Sequence, residues 1–167
     1  KLARQIKGSN NWKKTKHRIA LLYEHIASQK SDFNHKQTST LCKSHDCVFS
    51  EELKIKDMTK SAKGTLDNPG TKVKQKSRLN KSILEQGWGE FDRQMDYKMA
   101  EKGGVYIKVS AAYTSQTCPL CGAVDKENRK TQAKFFCVHC GHSDDADVNA
   151  AINIKKRGLA LLGKAAA

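Results

Sequence analysis

No apolar run among the 167 residues is long enough to cross a bilayer as a helix. Nor does the start show a secretory-leader pattern, so the expectation is an intracellular protein with reduced thiols. Acidic residues are scarce. There are 17 Asp and Glu against 31 Lys and Arg, a formal charge of +14. Cysteine is also sparse, at six, and four of the six fall in one short stretch. The length suits one domain with a small inserted module.

The positive charge is spread over several segments. Lys13, Lys14, Lys16 and Arg18 form one, and Lys72, Lys74, Lys76 and Arg78 another. A broad basic field of this kind points to DNA or RNA as partner. Plain solubility or a ribosomal-type surface would give the same charge, which alone does not separate them.

The clustered cysteines say more. Cys118-Pro-Leu-Cys121 and Cys137-Val-His-Cys140 are two C-x-x-C knuckles, each closed by a glycine, Gly122 and Gly141. This is the ligand spacing of a tetrahedral zinc ribbon. Four thiolates leave no open position for water, so such a zinc is structural and the chemistry lies elsewhere. A thioredoxin-like motif needs one C-x-x-C, and disulfides suit a secreted chain. Cys42 and Cys47 lie apart and read as small buried hydrophobes.

Along the chain, residues 12–41 read as one long helix with Ser9 or Asn10 as N-cap. Ile19, Leu22, Tyr23, Ile26 and Phe33 form its apolar stripe, expected to pack in a core, opposite a basic face. Residues 47–53 read as a strand. Alternation sets Glu51 with Cys47, Phe49 and Leu53, and sets Glu52 on the solvent side. A carboxylate on an apolar face is paired or functional. Residues 57–80 read as a mobile loop with a turn at Asn68-Pro69-Gly70, and 82–102 as a helix weakened at Gly87 and Gly89. Val105–Val109 alternates as a strand. A last helix opens at Asp144-Asp-Ala-Asp147 and is expected to end near Gly158. Capping accounts for any one of Asp144, Asp145 and Asp147, but three in four positions exceed what capping needs. The i, i+4, i+7 series Asp147, Ala151, Ile154 places Asp147 on the inward side.

Glu51 and Asp147 are thus candidates to converge. Carboxylates bind Mg²⁺ or Mn²⁺, and two such ions about 3.5–4 Å apart support phosphodiester cleavage.

The segments Lys7-Gly-Ser-Asn-Asn11, Phe49-Ser-Glu-Glu-Leu-Lys-Ile-Lys-Asp-Met58, Gln86-Gly-Trp-Gly-Glu-Phe91, Tyr113-Thr-Ser-Gln-Thr-Cys-Pro-Leu-Cys-Gly122, Phe136-Cys-Val-His-Cys-Gly141 and Asp145-Ala-Asp-Val-Asn-Ala-Ala-Ile-Asn-Ile154 run in collinear order. Together they resemble the C-terminal half of the TnpB/OrfB proteins of bacterial insertion sequences, RNA-guided DNA endonucleases related to miniature type V CRISPR nucleases. The resemblance implies an α/β, RuvC-like (RNase H-type) nuclease fold, here incomplete, with the ribbon inserted before the final helix. Its expected division is 1–110 (partial nuclease domain), 111–143 (zinc ribbon) and 144–167 (final helix and tail).

Carried over residue by residue, Glu51 matches the second acidic motif and Asp147 the third. Cys118, Cys121, Cys137 and Cys140 match the zinc ligands. The implied partners are target DNA and a guide RNA, in a bacterial or archaeal cytoplasm on the nucleoid. The family's first aspartate lies on a strand upstream of anything present, so the chain reads as a piece of a longer nuclease or a decayed gene copy, inactive alone. Two smaller departures, Glu52 after the second-motif glutamate and Ala146 between the aspartates, remove no ligand. The competing expectation is a zinc-ribbon module that binds DNA or RNA without chemistry.

Overall fold

The computed structural model describes residues 1–165. The chain forms two compact units. One comprises Lys1–Ser44 and Thr59–Lys102; the other comprises His45–Met58 and the residues from Gly103 onward.

The first unit is helical. Helix α1 runs Asn10–Ser44, and Ser9 Oγ accepts from the Trp12 amide at 3.2 Å, an N-cap bond. The expected stripe is not where α1 packs. Leu22, Tyr23, Ile26 and Phe33 are all exposed, and the buried positions are Thr38 and Cys42 near the other end. There α1 meets α4 (Trp88–Lys102) through polar groups as well as through buried Met95 and Met99. Thr38 Oγ1 lies 3.0 Å from Gln94 Oε1, both side chains being fully buried. Lys98 Nζ donates to Thr38 Oγ1, Ser39 Oγ and the His35 carbonyl at 2.7, 2.8 and 2.9 Å. Buried polar groups satisfied in this way fix the register of two helices, because a slip would orphan them.

The stretch expected as a loop holds structure at both ends. Helix α2 is the single turn Ile55–Met58 and α3 is Val73–Glu85. Between them the Asn68-Pro69-Gly70 turn closes through Gly70 N to Lys63 O at 2.8 Å and Thr65 N to Asn68 O at 3.0 Å. Beyond it the sequence turns to helix formers, and propensity prevails over polarity. The helix read over 82–102 is two helices, α3 and α4, divided at Gly87. That residue has φ +73°, and its carbonyl accepts from Glu90 and Phe91 at 3.0 Å, opening α4.

The second unit is mixed α/β. Strands β1 (Cys47–Glu51) and β2 (Val105–Val109) pair in parallel, with Glu51 beside Val109. Two strands make up this sheet among the described residues. Strands β3 (Lys134–Phe136) and β4 (Ser143–Asp145) form an antiparallel hairpin. The last helix, α5 (Ala146–Ala165), packs on β1 and β2. Asp144 and Asp145 therefore finish a strand, Asp145 standing just before the first residue of the helix, and α5 runs through Gly158. Gly158 is buried, and a Cβ there would sit 2.1 Å from Phe49 Cδ1. The glycine is a contact site for the β1 ring, not a helix stop.

Two outcomes follow from this packing. Hydrogen bonds from Arg93 (2.9 and 2.6 Å) and Gln94 (2.8 Å) hold the Glu90 carboxyl at about 2, well below its ordinary value. A depressed carboxyl stabilises the fold above its ordinary range, and the contribution is lost as pH falls toward about 2. A ¹³C carboxyl titration should find Glu90 near that value in the native chain. In Arg93→Ala the midpoint should rise toward about 4.3, and the fall in stability between that range and about pH 2 should shrink, because the folded and unfolded values then nearly coincide. An unchanged midpoint in the variant would assign the depression to another group. For Gly158→Ala, helix propensity favours alanine by about 0.5–1 kcal/mol. Overpacking against Phe49 costs about 1–3 kcal/mol. Urea unfolding should show a net loss that Phe49→Leu partly restores.

Candidate functional site

The two knuckles of the second unit are built by their backbones. Gly122 N donates to Cys118 O and Gly141 N to Cys137 O, both at 2.9 Å. Both glycines have positive φ, +77° and +75°, with open space where a Cβ would be. Backbone conformation, not crowding, selects glycine there. The result gathers the ligand atoms of Cys118, Cys121, Cys137 and Cys140 within 4.8 Å of one another. Cys118 and Cys140 sulfurs are 3.6 Å apart, as are those of Cys121 and Cys137. A tetrahedral zinc with bonds of about 2.3 Å places its sulfurs about 3.8 Å apart. The four sulfurs can hold a metal ion such as zinc.

The thiols themselves point the same way. Burial pushes Cys137 up, but the amides of Cys140 and His139 draw it down to about 6. The His142 amide favours the Cys140 thiolate, yet burial and the neighbouring sulfurs Cys121, Cys137 and Cys118 push it up to about 12. One thiol ionises readily and another resists because negative sulfurs crowd one another. A bound cation removes that conflict and lets all four ionise.

Asn128 ties the two knuckles together, and sequence reasoning missed it. Its side chain is buried. Its Nδ2 donates to Gln116 O at 2.9 Å, before the first knuckle, and its Oδ1 accepts from Val138 N at 2.9 Å, inside the second. The only sequence signal was an asparagine in a polar stretch between two C-x-x-C pairs.

The acidic residues are placed less as expected. Glu51 ends β1 half-buried, and Glu52 beside it is exposed. Thr114 Oγ1 lies 3.3 Å from Glu51 Oε1, whereas Ser50 on the other side of the strand meets the Tyr106 hydroxyl at 2.6 Å. Asp145 is the N-cap of α5, its Oδ1 accepting from the Asp147 and Val148 amides at 2.9 and 3.2 Å. Asp147 does not face inward: its side chain is 94% exposed, with an oxygen 3.9 Å from Arg129. The inward stripe of α5 is Ala146, Asn149, Asn153 and Gly158. Among the described residues the four cysteines are the one His, Cys, Asp or Glu group of three or more at metal-binding distance. Glu51 and Asp147 are not drawn into such a cluster.

The basic candidates lie on the helical unit. Lys13, Lys14, Lys16 and Arg18 are exposed on α1, and Lys16 Nζ sits 5.2 Å from the Trp12 ring centre. Lys72 precedes α3 in a left-handed conformation, φ +53°, and Lys74, Lys76 and Arg78 follow on that helix.

Two family descriptions match the chain: "Probable transposase" (OrfB, IS605 type) over residues 1–62, and "Cas12f1-like, TNB domain" over residues 88–154. It is 48% identical over 161 residues to the "Putative RNA-guided DNA endonuclease InsQ" of Escherichia coli K12, a match covering 96% of this chain. The chain belongs to the TnpB/OrfB family. It spans 40% of the length of that E. coli relative. It is also 46% identical over 71 residues to a Cas12f1 endodeoxyribonuclease of Sulfoacidibacillus thermotolerans, covering 41% of this chain and 17% of the relative. The fold resembles the protein in a cryo-EM structure of a Cas12f1–sgRNA–target DNA complex (TM-score 0.58, 22% identity). That likeness covers 84% of this chain and 37% of the other.

If Asn128 sets the spacing of the knuckles, Asn128→Ala should weaken metal binding about tenfold or more. It should also destabilise the ribbon by about 1–2 kcal/mol, chiefly by taking away the acceptor of the Val138 amide. Competition with a chelating dye checks the first and urea unfolding the second. Unchanged affinity would mean that the sulfurs alone hold the site together.

Proposed function

We propose that this chain is the nuclease and ribbon part of an RNA-guided DNA endonuclease of the insertion-sequence type, acting in DNA transposition or recombination. The observation that carries the reading is Glu51, a half-buried carboxylate at the end of a strand on which α5 packs. A plain binding module has no use for a carboxylate held there. Residues 1–110 and 144–167 would then belong to the RuvC-like nuclease and residues 111–143 to its inserted ribbon. The place of action would be the bacterial or archaeal cytoplasm, on the nucleoid.

In this reading Cys118, Cys121, Cys137 and Cys140 hold a structural zinc. Glu51 and Asp147 would hold Mg²⁺ or Mn²⁺, which when bound stabilises the charge of phosphodiester cleavage. Oxygen donors suit such an ion. Two carboxylates do not complete the site, and a third would come from a segment outside these residues. Lys13, Lys14, Lys16, Arg18, Lys72, Lys74, Lys76 and Arg78 would neutralise phosphates of target DNA and guide RNA.

A second reading, a non-catalytic DNA- or RNA-binding module, is favoured by one observation: Asp147 is 94% exposed and lies near a guanidinium. One experiment separates the two. The upstream region of a full-length relative, with its guide RNA, is joined to this chain, and Mg²⁺-dependent cleavage is assayed. Cleavage should appear and be abolished by Glu51→Gln and by Asp147→Asn, with Glu52→Gln and Asp145→Asn far milder. Cleavage that survives Asp147→Asn removes the nuclease assignment of α5. Both readings expect electrostatic binding, so changing Lys72, Lys74 and Lys76 to Ala should flatten the log K against log salt slope by about 2–3. An unaltered slope would clear α3 of phosphate contact.

A further inference from the structure

Thr114 stands between β2 and the first knuckle and is 2% exposed. Its hydroxyl has one hydrogen and two acceptors, Glu51 Oε1 at 3.3 Å and the Ala111 carbonyl at 3.0 Å. An ionised carboxylate is the stronger acceptor, which offsets its longer distance. The residue is itself clamped. Asn153 Nδ2, on α5, donates to the Thr114 and Thr117 carbonyls at 2.9 and 2.8 Å. Asn149 Nδ2 adds a bond to Thr117 O at 3.2 Å. Thr117 in turn bonds back to the Tyr113 carbonyl through its hydroxyl at 2.7 Å and its amide at 3.0 Å, and Tyr113 has φ +61°. The next residue is the metal-site ligand Cys118.

We propose that Thr114 is a positioning residue for the Glu51 carboxylate, and that Asn153 and Asn149 tie this contact to the four-cysteine ribbon. Folding of the ribbon around its metal then fixes Glu51. The proposal gives the Tyr113–Cys118 segment a second task beyond supplying a zinc ligand. It rests on the reading of Glu51 as a metal-binding carboxylate for its purpose, though not for its geometry.

The test uses the 167-residue chain loaded with zinc and NMR relaxation of the Glu51 side-chain methylenes. Thr114→Val keeps the shape and removes the hydroxyl. The order parameter of the Glu51 side-chain methylenes should then fall by roughly a third from its wild-type value. Thr114→Ser should restore it, which a loss of methyl packing alone would not do. Withdrawing zinc with a chelator should release Glu51 to a similar extent. If Thr114→Val no longer holds one zinc per chain, the reciprocal variant decides: Glu51→Ala should let the Thr114 rotamer average. A Thr114 rotamer that stays fixed in Glu51→Ala would show that the Ala111 carbonyl alone holds the hydroxyl, and would overturn the proposal. So would an unchanged Glu51 in a zinc-loaded Thr114→Val chain. Mn²⁺ broadening of the Glu51 signals, several-fold weaker in Thr114→Val, adds a functional readout. Wild-type signals that Mn²⁺ does not broaden would remove the metal-binding reading and leave the positioning geometry standing.

Discussion

Four sulfurs within 4.8 Å of one another are the constraint on which the second unit depends. Thiolates this close repel one another, and a bound cation relieves the repulsion. Once gathered, they fix both knuckles. The first knuckle sits directly after Thr117, whose carbonyl is held by Asn149 and Asn153 of α5. The same helix lays Gly158 against Phe49 of β1. Ribbon, helix and parallel strand pair therefore form one connected structure, although 66 residues of sequence separate Glu51 from Thr117.

The ribbon was legible because its chemistry is local. Two C-x-x-C pairs with following glycines specify both the ligands and the turns that present them. Strand β1 was legible in part: Glu51 is half-buried and Glu52 exposed. The strand ends at Glu51 rather than residue 53, however, and all five of its residues are half-buried, so Glu52 is exposed by leaving the strand and not by alternation along it. Helix α5 was misread for a definite reason. Its packed stripe contains Asn149 and Asn153, which look like solvent residues in a hydrophobicity pattern. They are buried because backbone carbonyls at the root of the ribbon need donors. Tertiary hydrogen bonding of this kind leaves no period in the sequence, and the neighbouring series beginning at Asp147 looked equally regular.

The helical unit shows the opposite failure. The stripe through Leu22, Tyr23, Ile26 and Phe33 is a sound helical period, and α1 is indeed helical there, yet these side chains are exposed. Periodicity reports that a face is suited to being covered; it does not report what covers it. Where α1 does pack, the decisive groups are Thr38, Gln94 and Lys98, residues that propensity scales treat as surface. The division of α3 from α4 was half visible in Gly87, whose positive φ ends one helix and whose carbonyl opens the next.

The first turn of α5 separates two roles that its aspartates were expected to share. Asp145 accepts from the Asp147 and Val148 amides, so its oxygen Oδ1 is committed to capping. That commitment answers the demand of the helix N-terminus for negative charge. Asp147, two residues on, is relieved of it and presents its carboxylate to solvent. An exposed carboxylate that caps nothing offers both its oxygens to a cation, whereas a capping one must give up a helix bond to offer both. Arg129 at 3.9 Å is the competitor that a metal at Asp147 would have to displace. The physical case for Asp147 over Asp145 thus rests on which oxygen is already spent, and not on which face of the helix turns inward.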